Sequence, residues 1–444
     1  MLLTGATGFV GKVVLAELLR RREELGVSRV LALVRASDAG QARARLRAEV
    51  VGSPCFAAAP AGWDAPLEPV AGDLVRPHLG LGGEALARLR SEATHVIHCA
   101  ASVEFALPLA EATAVNTTGA LHALELARTC ARLESFVGVS TAYVAPHAAS
   151  ASGICTADEV LAPLARDPEA LYAAILAGSV DADRLLEETG HPNTYTLTKC
   201  LAEHLVSRRL DDVPVTLVRP SIVSASRSQP RPGWIDSPAA FASFVTAIGT
   251  GRLRVVAGDP GTKLDVVPCD EVAHRIVEAA FSPAPRGALS IRHAVAGLAG
   301  SCPVELCRDR IVGYFRAHPG AWDPRLAFVG PHGPRFHLEH ALRHEMPGIG
   351  ASLWLGLRRD RGRALAARRL LARQRAINRE FAYFTHKTFD FRTSVPLEPG
   401  LEPASYLDTV CEGVQRHLLR RERRTRRGAA ARAAEGVHQA SAAE

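Results

Sequence analysis

A tyrosine and a lysine four residues apart carry the first chemistry legible in this chain, Tyr195 and Lys199 in "NTYTLTKCLAEHLV". The stretch has helical character, and that spacing puts both side chains on one helix face, about one turn apart. A phenol titrating near pH ~10 is a poor acid at neutrality, but a neighbouring ammonium favours the phenolate and lowers that value. The expected result is a usable proton donor to a carbonyl oxygen. A hydroxyl at the end of a preceding strand can hold the same oxygen, and "FVGVSTAYV" offers two, Ser140 and Thr141. Y-x-x-x-K also arises by chance on solvated helix faces, so the pair gains meaning only from its surroundings.

The surroundings begin at the first residues, "MLLTGATGFVGKVV", where Gly5, Gly8 and Gly11 recur every third position. In a strand–turn–helix unit the first glycine permits a tight turn and the second lets a diphosphate approach the backbone. The third lets the helix pack close to the strand. The helix N-terminus adds N–H groups and a partial positive charge. The second apolar run, "RVLALVR", ends in Arg35, and the nearest acid is Asp38. An acid at that strand end would suit the ribose 2′-hydroxyl of NAD, whereas a guanidinium suits a 2′-phosphate. NADPH is therefore the expected cofactor, with Lys12 as a further phosphate contact. Asp73, in "AGDL", stands where a loop carboxylate accepts from an adenine amino group.

The elements that must position these residues alternate along the chain. Short Val- and Leu-rich runs occur at 29–35, 67–74, 94–101, 134–141 and 213–221, with helical stretches between them. Near-continuous apolarity, rather than alternation, marks strands buried on both faces. Strands separated by helices imply right-handed crossovers and a doubly wound, Rossmann-type parallel sheet of the α/β class.

Composition bounds the rest. The chain has 444 residues, 47% hydrophobic and 22% charged, as in ordinary globular proteins. No apolar run has the length of a membrane span, and the first run is too short for a signal peptide. Nine scattered cysteines without a C-x-x-C pair fit reduced thiols in the cytoplasm, with no disulfide framework and no metal site. Residues 351–444 hold 19 Lys and Arg against 10 Asp and Glu, so a net charge of +7 leaves the first 350 residues at −2. A basic C-terminal segment on an otherwise near-neutral chain argues against a nucleic-acid groove.

The pieces "TGATGFVGKVV", "VIHCAASVEF", "VNTTGA", "VSTAYV", "PNTYTLTKCLAEHLV", "VRPSIV", "PGWIDS" and "DVVPCDEVAHRIV" follow one another in this order. Together they resemble the extended short-chain dehydrogenase/reductase superfamily over residues 1 to about 280. Within it, "GWID" and "PNTYTLTK" are most similar to the fatty acyl-CoA reductase family, a relative of thioester-reductase domains. The resemblance implies Thr141, Tyr195 and Lys199 as the catalytic set. It implies cofactor contacts at Gly5, Thr7, Gly8, Phe9, Gly11, Arg35, Asp73, Leu74, Ala100, Tyr195 and Lys199, with Pro220 and Ser221 flanking the nicotinamide. Asn116 matches a retained asparagine whose role is equally well structural. Family members carry several residues before the first strand, whereas Met1 directly precedes it here, which puts the start of the chain in question.

The resemblance further implies reduction of an acyl-CoA through an aldehyde to a primary fatty alcohol. Two other readings remain open. One is release of the aldehyde, or use of a carrier-protein thioester, with the basic region meeting an acidic partner. The other is a non-catalytic dinucleotide-sensing protein. The reductase domain is expected over 1–290, with substrate-covering segments at about 150–190 and 222–250, the latter including Trp234. A helical region would follow over 291–418, then a basic, disordered tail over 419–444. The arginine-rich helix within 352–384 reads as a solvated face, which leaves open contact with CoA phosphates, peripheral contact with anionic lipid, and a homo-oligomer.

Overall fold

A computed structural model describes residues 1–146, 153–318, 324–325, 328–358 and 360–419, so the expected tail lies outside the described residues apart from residue 419. The chain forms two compact units that interleave along the sequence. The first comprises Met1–Val223, Thr262–Cys302 and Tyr383–Leu401; the second comprises Ser224–Gly261, Pro303–Ala382 and the chain from Glu402.

The first unit is built on a seven-stranded sheet in which every pairing is parallel. Its strands are β1 (Leu2–Thr4), β2 (Val30–Arg35), β3 (Leu67–Gly72), β4 (His95–His98), β5 (Ser135–Val139), β6 (Val215–Pro220) and β7 (Leu289–Ala294). The spatial order is β7-β6-β5-β4-β1-β2-β3, so the winding reverses between β1 and β4. A crevice at the carboxyl edge beside such a reversal is where open α/β sheets bind ligands. All residues of β1 and β6, and all of β2 except Arg35, are buried, which explains their unbroken apolar runs.

The α/β pattern runs past residue 290, because β7 completes the sheet beside β6. Ser290, Arg292 and His293 break its apolar run, as an edge strand allows, and a boundary at 290 cuts through it. Helices flank the sheet: α1 (Phe9–Arg20), α2 (Gly119–Arg128), α3 (Thr194–Arg209) and α4 (Cys269–Phe281). α1 packs on α4 and α2 on α3. Asn193 starts α3 by accepting from the Thr196 N–H at 2.9 Å, which places Tyr195 in the first turn.

The segment between Thr141 and α3 contains a strand, Ile154–Ala157, and two helices, Pro168–Leu176 and Ala182–Thr189, capped by Asp167 and Asp181. The strand pairs in parallel with Thr388–Phe391, which joins the late "TFDF" passage to the first unit. The second unit is mainly helical, including Ala240–Gly249, Val304–Ala317, Met346–Leu357, Pro403–Gly413 and all but the last three residues of Arg361–Thr385. Trp234, expected on a substrate-covering wall, is almost fully buried within the second unit, its backbone N–H donating to the Ser226 hydroxyl at 3.0 Å. Among the described residues, no helix is long and apolar enough to cross a membrane.

Candidate active site

The parallel sheet delivers most of the expected residues to one edge. Gly5 follows β1, Arg35 ends β2, Asp73 follows β3, Ala100 lies just past β4, Thr141 just past β5, and Pro220 and Ser221 close β6. Gly5 has φ +77°, and a Cβ there would lie 2.7 Å from the Ala100 nitrogen. A Cβ on Gly11 would lie 2.0 Å from the Gly5 carbonyl oxygen, so α1 can cross the strand end only without one. Gly8 caps α1 with no side-chain hydrogen bond, and no acid stands in the first turn of that helix, which opens on Phe9. The partial positive charge of the helix end is therefore left for an anion. Thr7 is half-buried in the same turn. Lys12 is buried along α1.

The turn is braced from below. The Thr4 hydroxyl accepts from the Ala100 N–H at 3.2 Å and lies 3.0 Å from His98 Nδ1. Burial, with the Lys199 charge nearby, brings His98 down to about 3, so its ring is neutral. Toward the sheet's outer side, a cleft of 910 Å³ is lined by Arg35, Ser37, Asp38, Gly72, Asp73 and Arg76, among others. The Asp38 carboxylate is engaged there, accepting from the Gln41 N–H at 2.9 Å and the Ser37 hydroxyl at 2.8 Å. Asp73 accepts from the Val75 N–H at 3.2 Å, and the Leu74 carbonyl accepts from His122 at 2.9 Å.

Thr141, Tyr195 and Lys199 come together where β5 meets α3. The Thr141 hydroxyl donates to the Pro220 carbonyl at 3.4 Å and lies beside the Tyr195 phenol, whose upward shift it partly opposes. Lys199 donates from Nζ to the Val139 carbonyl at 2.8 Å. The lowered phenol expected from the Tyr–Lys spacing is not found: burial pushes Tyr195 up to about 12, and Thr141 only partly opposes it. Burial likewise lowers Lys199 to about 8, against the pull of Glu203 one turn further along α3. The spacing locates the pair but carries no information on the desolvation that dominates both groups. Of the two candidate hydroxyls, Thr141 is the one that acts on the phenol, while the buried Ser140 hydroxyl has no partner among the described residues.

An aromatic wall adjoins the phenol. The Phe105 ring is 5.9 Å from that of Tyr195 and 6.2 Å from that of Phe384. Tyr143 meets Phe384, Phe389 and Phe391 edge-on at 4.8, 5.1 and 5.1 Å.

Three supports were not singled out from the sequence or had no settled role there. Asn116 is buried at a π-helical turn, where its Oδ1 accepts from the Ser102 N–H at 2.8 Å. Its Nδ2 donates to the Ser102 carbonyl and the Thr198 hydroxyl, both at 3.1 Å, which ties the loop after β4 to α3. Asp265 lies buried 2.5 Å from the Ser221 hydroxyl and accepts from the N–H groups of Ala296 and Gly297 at 2.8 and 2.9 Å. Desolvation raises its carboxyl despite those donors. Glu203 and Arg219 form a bidentate pair at 2.9 and 2.5 Å, each side chain only 2% exposed. An acid inside the apolar run "KLDVVP" was the one available signal for Asp265.

This sheet and glycine turn define a protein of the extended short-chain dehydrogenase/reductase type, with a site for a nicotinamide dinucleotide. An NAD-binding family described as "Male sterility protein" matches residues 3–276. Fatty acyl-CoA reductase 1 of Gallus gallus is 28% identical over 460 residues, covering 95% of this chain and 85% of the relative. Fatty acyl-CoA reductase 2 of Mus musculus is 30% identical over 311 residues, covering 68% of this chain and 58% of the relative. The crystal structure of the terminal R domain from the myxalamid PKS-NRPS biosynthetic pathway shares the fold, with a TM-score of 0.62 at 23% identity, over 93% of this chain and 89% of that one. The chain belongs to the fatty acyl-CoA reductase family.

Proposed function

We propose that the protein uses NADPH to reduce a long-chain acyl thioester, an acyl-CoA, through the aldehyde to a primary fatty alcohol. The observation that carries this reading is the Thr141–Tyr195 hydroxyl pair, with Lys199 one turn on, beside the glycine turn. That turn fits a dinucleotide, because added Cβ atoms at Gly5 and Gly11 would collide with backbone and the α1 terminus carries no acid. Gly5, Thr7, Gly8, Phe9 and Gly11 would hold the diphosphate, with Asp73, Leu74 and Ala100 beside the adenosine and Pro220 and Ser221 beside the nicotinamide. Bound there, NADPH supplies a hydride to the carbonyl carbon.

The chain's own residues do the rest. Thr141 and Tyr195 donate to the carbonyl oxygen as it gains negative charge, a stabilisation that is strongest where water is excluded. A phenol pushed up to about 12 is protonated at neutral pH, so Tyr195 enters each cycle as a donor. In the aldehyde step it gives up its proton to the alkoxide, and the Lys199 ammonium favours the phenolate left behind. Each reduction consumes one NADPH and one proton, and the first also releases the thiol. The aromatic wall of Phe105 and Phe384 suits an acyl chain next to the reacting carbonyl.

Choice of the 2′-phosphorylated cofactor is supported by Arg35 and Arg76 in one cleft and by the engagement of Asp38 as a helix cap. The test is to incubate purified protein with palmitoyl-CoA and either NADPH or NADH, and to identify products by mass. Hexadecanol with NADPH supports the whole reading, whereas hexadecanal alone limits it to the first step. No turnover by protein that still binds NADPH overturns it in favour of dinucleotide sensing.

A further inference from the structure

Residues 334–357 run as one continuous helical stretch, Pro334–His340, a π turn at Ala341–Glu345 and Met346–Leu357. Its polarity is inverted. Leu338, Leu342, Met346, Ile349, Leu353 and Leu357 recur every three or four residues, which confines them to one arc of the helix. All six are exposed to water, Met346 at 61%, Leu353 at 60% and Leu357 at 86%. The opposite face is the buried one, and it carries His340, His344 and Ser352. Gly348 belongs to that inner face, where an added Cβ would meet Leu371 at 3.6 Å.

The orientation is fixed by hydrogen bonding. His344 Nε2 accepts from the backbone N–H groups of Arg254 and Val255, both at 3.1 Å. Rotating the helix to hide its leucines would break both bonds. Isolated exposed leucines are ordinary, but a continuous stripe of six is not a face built for water.

Charge selects the partner. Residues 334–379 hold eleven arginines against three acids. Each acid is already paired: Glu339 with Arg343, Glu345 with Arg375 and Asp360 with Arg363. Beside the stripe, the Arg358 guanidinium lies 4.0 Å from the exposed Trp354 ring centroid. The next helix adds exposed Leu365 and Leu370 among further arginines. A second copy docked on this face would oppose two strongly positive surfaces, whereas a layer of phosphates with acyl chains beneath matches both features.

We infer that the face formed by Leu338, Leu342, Met346, Ile349, Leu353 and Leu357 inserts into the interfacial layer of an anionic lipid bilayer, with the neighbouring arginines on headgroup phosphates. The helix lies in the surface plane and does not span it. The inference stands on this face alone and does not depend on the reaction proposed above.

The test is flotation of the full chain with vesicles of phosphatidylglycerol and phosphatidylcholine, against vesicles of phosphatidylcholine alone. The native chain floats with the anionic vesicles and is partly released by salt, and Trp354 emission shifts to the blue, a shift lost in Trp354→Phe. The combined variant Met346→Gln, Leu353→Gln, Leu357→Gln lowers partitioning by about tenfold or more, with melting temperature and NADPH affinity unchanged because all three positions are exposed. Equal partitioning of the native chain to both vesicle types, or none to either, overturns the inference without any variant. So does undiminished binding by the glutamine variant, which assigns the contact to arginines elsewhere, including those of residues 420–427. A dimer that this variant dissociates, with vesicle binding unaltered, assigns the face to a second copy instead.

Discussion

Lys199 and Val139 are joined by a 2.8 Å hydrogen bond from a buried ammonium to the last carbonyl of β5, two positions before Thr141. The bond ties the first turns of α3 to the strand end that carries the hydroxyl. Tyr195, on the same helix, is thereby held against Thr141. One link between helix and strand sets the relative position of the three side chains. The same ammonium lies in surroundings that disfavour its charge, which gives the cluster a pH dependence.

The expected alkaline limb belongs to the lysine, not to the tyrosine. Burial lowers Lys199 from 10.5 to about 8, so it is charged below that pH and neutral above it. If the ammonium supports proton donation by Tyr195, kcat/KM for reduction falls as pH rises through about 8. The phenol, at about 12, remains protonated throughout and adds no limb. Rates from pH 6 to 10, with the acyl-CoA chemically intact at each pH, check this. In Lys199→Arg the guanidinium does not titrate in that range, and a limb that survives unchanged in that variant would reject the assignment.

Two glycines of the turn, Gly8 and Gly11, should separate folding from binding. Gly11→Ala places a Cβ 2.0 Å from the Gly5 carbonyl oxygen, which backbone cannot accommodate without moving. A large loss of stability, about 2 kcal/mol or more, and loss of NADPH binding are expected together. Gly8→Ala meets the Gly5 oxygen only at 3.2 Å and keeps an ordinary negative φ. It should leave the melting temperature nearly unchanged while weakening NADPH at least about tenfold, because the added methyl faces the diphosphate. Calorimetric binding and thermal melting of both variants decide the matter. Equal losses of stability would mean that Gly8 serves the turn and not the ligand.

How far the sequence carried this picture depends on what each feature needs to be recognised. The inner strands were legible because burial on both faces demands apolar runs, as in "RVLALVR" and "VPVTLVRPS", and the edge strand β3 keeps a short run of its own in "LEPVAGDL". The seventh, "LSIRHA", was not, since an edge strand tolerates Arg292 and His293. The glycine turn and the Tyr195–Lys199 pair stood out because their spacing is local, and Thr141 because it ends an apolar strand run. Asp265 and the Glu203–Arg219 pair were not, because each partner lies far along the chain. The direction of the Tyr195 shift failed for the same reason: desolvation is set by what the whole fold packs around a phenol. The outward face of the leucines of 338–357 was not singled out, because its register depends on His344 and its distant partners Arg254 and Val255.

The Glu203–Arg219 pair offers a stability prediction with a functional echo. Both side chains are buried and bonded twice to one another, and Arg219 also donates to the Asp158 carbonyl at 3.3 Å. Glu203→Ala strands a guanidinium without its carboxylate, which should cost about 3–5 kcal/mol. Glu203→Gln keeps the shape and one acceptor and should cost less. The Glu203 charge is also what opposes desolvation at Lys199. In Glu203→Gln the alkaline limb should therefore move below pH 8, while an unmoved limb would show the pair to be purely structural.

The two hydroxyls should be separable from cofactor binding and inseparable from one another. Tyr195→Phe keeps the ring against Phe105 and removes only the phenolic proton. Its kcat should fall by about 10²–10⁴, the usual worth of a positioned general acid, with NADPH affinity intact. Thr141→Ala should cost about 10²–10³ in kcat, the usual worth of one donor to an oxyanion. Because Thr141 lies beside the phenol, each substitution also disturbs the other donor. The double variant should then lose little more than Tyr195→Phe alone, since residues acting as a unit are not additive. Thr141→Ser, which restores the hydroxyl, should recover most of the rate. Full additivity, measured as single-turnover reduction of palmitoyl-CoA in the four proteins, would mean that the two groups act on different atoms, and the shared oxyanion would have to be abandoned.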